Sequence, residues 1–260
     1  AMHMPRIKEI WPVILGLFKA GATYLPLEPT WPSSRISTIL SRAACHHVIV
    51  HERETGLGDV CQLLSAELLA TDGVQALDTA ELSDAAYIIF TSGSTGEPKG
   101  VEISHHSLRH LLLEMGALLG VDSSIRQLCI TSFAFDLVIP DLFLPLVFGG
   151  CCVLDKEGLA DGVQLLATRL DEQNINLLQA TPSTYQRLLD SHWQGRQGLR
   201  VLVGGDKVTP ELAGQLLPKV KGVWHCYGPT EATVWAAIRR CFSLADLGFS
   251  SGLPGYGLVL

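Results

Sequence analysis

The sequence predicts an α/β fold of mostly parallel strands flanked by helices. Three observations carry that expectation. Apolar residues at helical spacing alternate along the chain with short apolar runs, and the connections between them are short. A hydrophobic content of 47% against 17% charged residues supplies a sizeable core. With 260 residues there is room for one large domain or two ordinary ones, and no repeat of fixed period is visible.

The elements follow in order. Ile10, Val13, Ile14, Leu17 and Phe18 mark one face of a helix over Ile7 to Ala20, ended by Gly21. Ala22 to Leu27 reads as a short strand leading into the proline-rich turn Glu28-Pro29-Thr30-Trp31-Pro32. Ser33 or Ser34 can cap a helix through Ile36, Ile39 and Leu40, and His47 to Val50 is a brief strand. Glu52 to Glu81 is loosely patterned. Ala85 to Phe90 is an apolar strand, followed by a polar loop and then by Ser104, an N-cap for a helix to Leu119. Strands are expected at Gln127 to Ser132, Cys151 to Leu154, Asn176 to Ala180, Leu199 to Val203, Lys221 to His225 and Thr233 to Ile238. Helices are expected at Leu137 to Phe148, Gly162 to Gln173, Ser183 to Leu189 and Pro210 to Leu217.

Composition excludes several functions. A net charge of −7 without a Lys/Arg block argues against nucleic-acid binding through a basic face. No apolar run reaches the roughly 18 residues that a membrane span needs; Leu137 to Leu154 is broken by Asp141, two prolines and Gly149-Gly150. The seven cysteines lack a C-x-x-C pattern and sit among apolar residues, as reduced thiols in a cytoplasmic protein would. The first residues, Ala1 to Arg6, have no signal-peptide profile.

The loop after the strand Ala85 to Phe90 is TSGSTGEPKG, Thr91 to Gly100. Glycines let backbone N–H groups approach an anion, hydroxyls add donors, and Lys99 adds positive charge. Polyphosphate is the ligand such a loop suits, with a flexible linker as the competing reading. The G-x-x-x-x-G-K-[ST] pattern fails because Gly100 follows Lys99, and G-x-G-x-x-G fails because Gly93 has no glycine two positions away. A second loop, His225-Cys226-Tyr227-Gly228-Pro229-Thr230-Glu231, follows an apolar strand, as does Gly204-Gly205-Asp206. In an open parallel sheet, ligands bind beyond the carboxyl ends of strands. All three loops are expected at one such edge. Glu231 suits a magnesium ion and Tyr227 an adenine face, or the segment is only a tight turn with an exposed acid.

Taken together, these segments resemble the adenylate-forming enzymes, and most closely the amino-acid-activating adenylation domains of nonribosomal peptide synthetases. The likeness runs through Leu17 to Gly21 with Tyr24 to Pro29, TSGSTGEPKG, Ser132 to Asp136, Ala180 to Tyr185, Val203 to Asp206, and YGPTE with Ala232-Thr233. It implies the large N-terminal core of such an enzyme. The implied reaction joins an amino acid to Mg-ATP as an aminoacyl-adenylate, then passes it to the phosphopantetheine thiol of a peptidyl carrier domain beside neighbouring synthetase domains.

The resemblance also implies residue roles. Thr91, Ser92, Gly93, Ser94, Thr95, Gly96 and Lys99 would hold phosphates, with Thr230 contacting phosphate and Glu231 binding magnesium. Gly204, Gly205, Asp206, His225, Cys226, Tyr227 and Gly228 would border the nucleotide. Lys99, Thr230 and Glu231 are the expected catalytic group. Asp136 would accept the substrate ammonium, and Leu137, Pro140, Ala180, Leu202, Gly204, Cys226, Val234 and Trp235 would line the side-chain pocket. Asp136 can instead cap the following helix, and Trp235 can instead be a core aromatic. With no other charge in the pocket and a bulky Trp235, a small or apolar amino acid is expected.

Two departures stand out: His225 where the family commonly has asparagine, and Asp206 where glutamate is more usual. Gly252 to Leu260 resembles the start of a further signature, so an interior piece of the core is expected, without the smaller C-terminal subdomain. That leaves a non-catalytic binding or assembly module, and an acyl- or aryl-CoA ligase, as alternatives.

Overall fold

The computed structural model describes residues 1–51, 62–65 (main chain only), 81–92, 96–156 and 162–241. Two compact units share the chain. The first comprises Ala1–Arg109 and returns for Ser132–Asp136; the second comprises His110–Thr131 and the described residues from Leu137 onward.

In the first unit, β1 (Met2–His3), α1 (Ile10–Lys19), α2 (Ser33–Arg42), β2 (His47–Val50) and β3 (Gln62–Ser65) come first. The three strands form a parallel sheet in the order β1-β2-β3. The helical spacing read from the sequence holds: α1 buries Ile10, Val13 and Ile14, while α2 buries Ile36, Ile39 and Leu40 against Val48, Val50 and Leu25. Gly21 ends the first turn out of α1 at φ +65°, a conformation glycine adopts without strain. The N-cap of α2 is Pro32, so neither serine caps it. Tyr24 and Pro26 make only isolated bridges, to Tyr87 and Met2, where a continuous strand was expected. Pro26 and Pro29 lack the N–H that a ladder needs.

The largest correction concerns the glycine-hydroxyl loop. β4 (Ala85–Ser92) does not pass through it directly to a helix; it pairs antiparallel with β5 (Pro98–Ser104), a strand the sequence reading missed. Thr91 faces Lys99 and Ser92 faces Pro98. The loop therefore tips a two-stranded antiparallel hairpin, and it does not leave the end of a parallel strand. Helix α3 (His105–Leu119) starts beyond β5, capped as expected by Ser104, whose Oγ accepts the Ser107 N–H at 3.2 Å.

The second unit carries β6 (Arg126–Cys129), α4 (Val138–Val147), β7 (Cys151–Leu154), α5 (Val163–Glu172), β8 (Leu177–Ala180), α6 (Pro182–Asp190), β9 (Arg196–Val203), α7 (Pro210–Leu216), β10 (Val220–Tyr227) and β11 (Ala237–Cys241). They form a six-stranded sheet in the order β11-β10-β9-β8-β6-β7, parallel except for the β10–β11 pair. The predicted parallel α/β fold is the one observed here. Thr181 and Thr209 start α6 and α7 by accepting the Thr184 and Leu212 N–H groups, and a proline follows each cap.

Alternation along the strands gives the sheet two different faces. Leu128, Leu178, Val201, Val203 and Val223 join residues of α5, α6 and α7 in one apolar core. Each fully buried aliphatic side chain there contributes about 1.5–3 kcal/mol. The neighbours of those residues in sequence, Gln127 and Gln179, turn to the opposite face and are also fully buried. The chain moves from β6 outward to β7 and then returns to β8 on the other side. This reversal is a topological switch point, the place where open α/β sheets gather ligands.

Thr233 to Ile238 is the last correction. A 3-10 turn, Thr230–Ala232, is followed by Thr233 and Val234 at φ +59° and +68°, and β11 begins only at Ala237. Left-handed backbone at a β-branched residue is costly, so the surrounding contacts must impose it.

Candidate functional site

Glycine chemistry builds the site at the carboxyl ends of β9 and β10. A cavity of about 520 Å³ lies there, lined by Gly205, Asp206 and Lys207 from one loop and His225, Cys226, Tyr227 and Gly228 from the other. Gly205 adopts φ +79°, and Asp206 Oδ1 accepts the Lys207 N–H at 2.7 Å. Tyr227 is 62% exposed, leaving a ring face open to a flat partner. His225 is buried, and desolvation, helped by the Arg239 charge, pushes its pKa down to about 4. Its imidazole is therefore neutral at pH 7, with one nitrogen to donate and one to accept. Burial pushes the Cys226 thiol well up, so it is a packing group and not a nucleophile.

Behind the cavity the chain folds back on itself. A Cβ on Gly228 would lie 2.4 Å from Val234 O, 2.6 Å from Ala236 N and 2.7 Å from Trp235 Cα. Only glycine permits this approach, and it is completed by the Ala236 N–H donating to Tyr227 O at 2.9 Å. The left-handed pair Thr233-Val234 then swings Trp235 inward, where it is 1% exposed. The indole edge occupies the space beside Gly204: a Cβ there would meet Trp235 Cη2 at 2.4 Å and Cys226 O at 2.6 Å. Leu137 approaches from another side, its Cδ1 lying 3.2 Å from where a Cβ on Gly205 would be. Gly204, Cys226 and Trp235 thus meet, and Leu137 packs beside the adjoining Gly205. Leu202 is fully buried on the same strand as Val203, which leads into Gly204.

The remaining expected residues are placed as follows. Ala180 is paired with Val203 and packs in the α5–α7 core, and Val234 contributes its carbonyl to the contact with Gly228. Pro140 is buried within α4. Thr230 is half-buried and Glu231 exposed on the 3-10 turn. Among the described residues no three His, Cys, Asp or Glu side chains group as a metal cage. A single exposed carboxylate such as Glu231 suits a magnesium ion that brings most of its ligands as phosphate and water.

Within the first unit, Ser132 fixes the loop that ends at Asp136. Its Oγ donates to the Glu28 carboxylate and accepts the Ala134 N–H, and its carbonyl accepts the Phe135 N–H. Phe133 is buried under the Arg6 guanidinium, 4.9 Å from the ring centre. Asp136 is half-buried, and its charge adds to the burial that raises the Tyr87 hydroxyl pKa. The N-cap position of α4 falls on Leu137 with no side-chain cap, so the capping role open to Asp136 is not what the structure shows. Lys99, Ser92 and Gly96 are exposed on the β4–β5 hairpin, and Thr91 Oγ1 donates to Lys99 O at 3.4 Å. Gly93, Ser94 and Thr95 lie outside the described residues.

The sequence reading missed Lys207, adjacent to the Gly-Gly-Asp signature, and two buried polar residues, Gln179 and Asp141. Gln179 stands directly before Ala180, and an amide in an otherwise apolar strand was the available signal.

The family model described as AMP-binding enzyme matches residues 1–256. A dimodular nonribosomal peptide synthase of Bacillus subtilis (strain 168) is 36% identical over 247 residues, covering 91% of this chain and 10% of the relative. The nonribosomal peptide synthetase TES of Alternaria alternata is 33% identical over 264 residues, 97% of this chain and 5% of that protein. The chain thus spans a tenth or less of either of these relatives. Among solved structures, a four-domain nonribosomal peptide synthetase bound to AMP and glycine superposes with a TM-score of 0.83 at 35% identity, covering 98% of this chain and 19% of that one. The NpsA N-terminal subdomain of Klebsiella oxytoca, in complex with 3-hydroxybenzoyl-AMSN, gives 0.83 at 25% identity over 97% of this chain and 65% of that one.

Proposed function

Because the chain belongs to the AMP-binding enzyme family, we propose that it binds ATP and a small or apolar α-amino acid and joins them as an aminoacyl-adenylate. The observation that carries the reading is the cavity between the Gly205–Lys207 and His225–Gly228 loops, which shares Cys226 with the Trp235 cluster. One shared wall gives a nucleotide and a carboxylate adjoining places. The relative bound to AMP and glycine, at 35% identity, supports both ligands.

In the first step a carboxylate oxygen of the amino acid attacks the α-phosphorus of ATP, and the bond to pyrophosphate breaks. Tyr227 stacks on the adenine, and neutral His225 and Asp206 offer hydrogen bonds at its edge. Lys99 and the hydroxyls of its loop neutralise the departing phosphates, and Glu231 would hold a magnesium ion, which when bound would supply further charge neutralisation there. Asp136 accepts the substrate ammonium, and Trp235 closes the far end of the side-chain pocket. In the second step the phosphopantetheine thiol of a carrier domain attacks the acyl carbon and releases AMP.

Pyrophosphate exchange into ATP tests this, using a protein that carries the chain together with the family's C-terminal subdomain. Exchange should depend on one small or apolar amino acid. Exchange with none of the amino acids would refute the reading. Exchange driven by an aryl or fatty acid, unaffected by Asp136→Ala, would transfer the chain to the CoA-ligase class.

A further inference from the structure

The segment Ser132–Asp136 joins the first unit from a distant part of the chain, and a carboxylate that none of the assigned roles uses takes hold of it. That group is Glu28, half-buried in the proline-rich turn. Its carboxylate accepts the Ser132 hydroxyl across 104 positions of sequence. The main chain presenting it is fixed on both sides. The Leu27 N–H donates to Met2 O at 2.9 Å, and Glu28 O accepts the Trp31 N–H at 3.0 Å. Leu27 is 1% exposed and belongs to the core beneath α2 and β2.

What Glu28 holds is a turn. A serine hydroxyl has one proton to give, and here a carboxylate takes it, a charge-assisted bond of the stronger kind. The hydroxyl oxygen is thereby oriented as an acceptor, and it receives the Ala134 N–H at 3.2 Å. Ser132 O receives the Phe135 N–H at 3.1 Å. Phe133 adds an apolar anchor, 1% exposed under the Arg6 guanidinium. Phe135 is 63% exposed, so burial of its ring does not fix the end of the turn. Asp136 follows directly, and its approach is set by the ties at Ser132 and Phe133. Removing the Glu28 carboxylate frees the Ser132 hydroxyl to rotate and to donate elsewhere.

We infer that Glu28 is a positioning residue for the substrate ammonium: through Ser132 it holds the turn that ends at Asp136 and so directs the Asp136 carboxylate. This rests on the amino-acid-activating reading above, in which Asp136 meets that ammonium. Glu28 touches no substrate in this role.

Hydrogen exchange reads the clamp without any activity. In the chain itself, Glu28→Ala should speed deuterium exchange at the Ala134 and Phe135 amides about tenfold. Glu28→Gln keeps an oxygen that accepts the hydroxyl, and it should stay within about twofold of the parent. In the exchange-competent protein, Glu28→Ala should raise the KM of the amino acid about tenfold and leave kcat and the KM of ATP within about twofold. Glu28→Gln should restore most of that loss. The des-amino analogue of the preferred amino acid, used as a competitive inhibitor, should bind the parent and Glu28→Ala equally, because it has no ammonium to place. If Glu28→Ala does not fold, Ser132→Ala removes the same contact from its other side and gives the same readouts. Unchanged amide exchange, or an unchanged amino-acid KM, overturns the inference. An equal loss of affinity for the des-amino analogue also overturns it, since Glu28 would then support the fold of the site and not the ammonium contact. If no amino acid supports pyrophosphate exchange, the functional reading fails and the positioning role with it, while the amide measurement still decides whether Glu28 holds the turn.

Discussion

Two glycine-bearing loops in this molecule look alike as sequence and differ in how they are built. The YGPTE loop and its continuation are locked from behind: Gly228 lies under the backbone of 234–236, Trp235 fills the space beside Gly204, and Gln179 holds the indole. On the β4–β5 hairpin, Ser92, Gly96 and Lys99 face solvent, and a Cβ on Gly96 would meet nothing within 4 Å. Gly96 has φ +81°, so its glycine serves the turn and not a close approach. Glycine in the first loop is a packing requirement, and in the second a conformational one. Changes at the glycines of the first loop should therefore fail through folding, and changes at exposed side chains, which make up the second loop's polar groups, through chemistry.

The largest expected effect on folding is at Gly228. Gly228→Ala sets a methyl against three backbone atoms that cannot move independently, and should cost about 3 kcal/mol or more in urea unfolding. A loss below about 0.5 kcal/mol would mean the fold-back is not tight. Next is Asp141→Asn. Its oxygen can keep the amides of Gln127 and Gln179, but its N–H must then face Thr131, whose hydroxyl has to turn from donor to acceptor, and a loss of about 1 kcal/mol is expected. Stability equal to the parent would show that these buried partners do not need a carboxylate.

His225 gives a smaller, pH-dependent effect. Its pKa falls from the ordinary 6.5 to about 4 in the folded protein, so the unfolded chain binds more protons between those values. Stability linked to this group is complete above about pH 6.5 and is lost as pH falls toward 4. Unfolding curves across that window should flatten in His225→Asn, and identical slopes in both proteins would contradict a desolvated imidazole. The smallest folding effect belongs to the exposed pair. Lys99→Ala and Glu231→Ala should each unfold within about 0.5 kcal/mol of the parent while lowering pyrophosphate exchange about a hundredfold. Parallel losses of stability and activity in Lys99→Ala would erase the distinction between the loops, and in Glu231→Ala would mean that this exposed side chain of the YGPTE loop is also part of its packing.

The legible parts of the sequence were those whose signal is local. Helices α1, α2, α5, α6 and α7 showed apolar stripes, and β8 to β10 showed apolar runs between turn residues. What escaped depended on partners. Met2–His3 becomes a strand because β2 accepts it, and Pro98-Lys99-Gly100 has no strand propensity of its own until β4 supplies the ladder. Val234 favours extended backbone in isolation, and contacts around Gly228 and Trp235 override that preference. In the site, Gly205, Asp206 and His225 to Gly228 could be found because glycine spacing marks them. Gln179 left one local signal, an amide in an apolar strand, but its place and that of Asp141 are understood only through the partners that satisfy them.

The return of Ser132–Asp136 to the first unit bears on how the protein is made. During synthesis residues 1–109 emerge as a body still missing one of its own segments, and that segment arrives only after a stretch belonging to the second unit has been delivered. Domains usually complete themselves in order from the N-terminus. Here the first unit cannot, so a pause in translation just before Ser132 would leave it waiting, and a cut between the units at residue 109 would not yield two whole pieces.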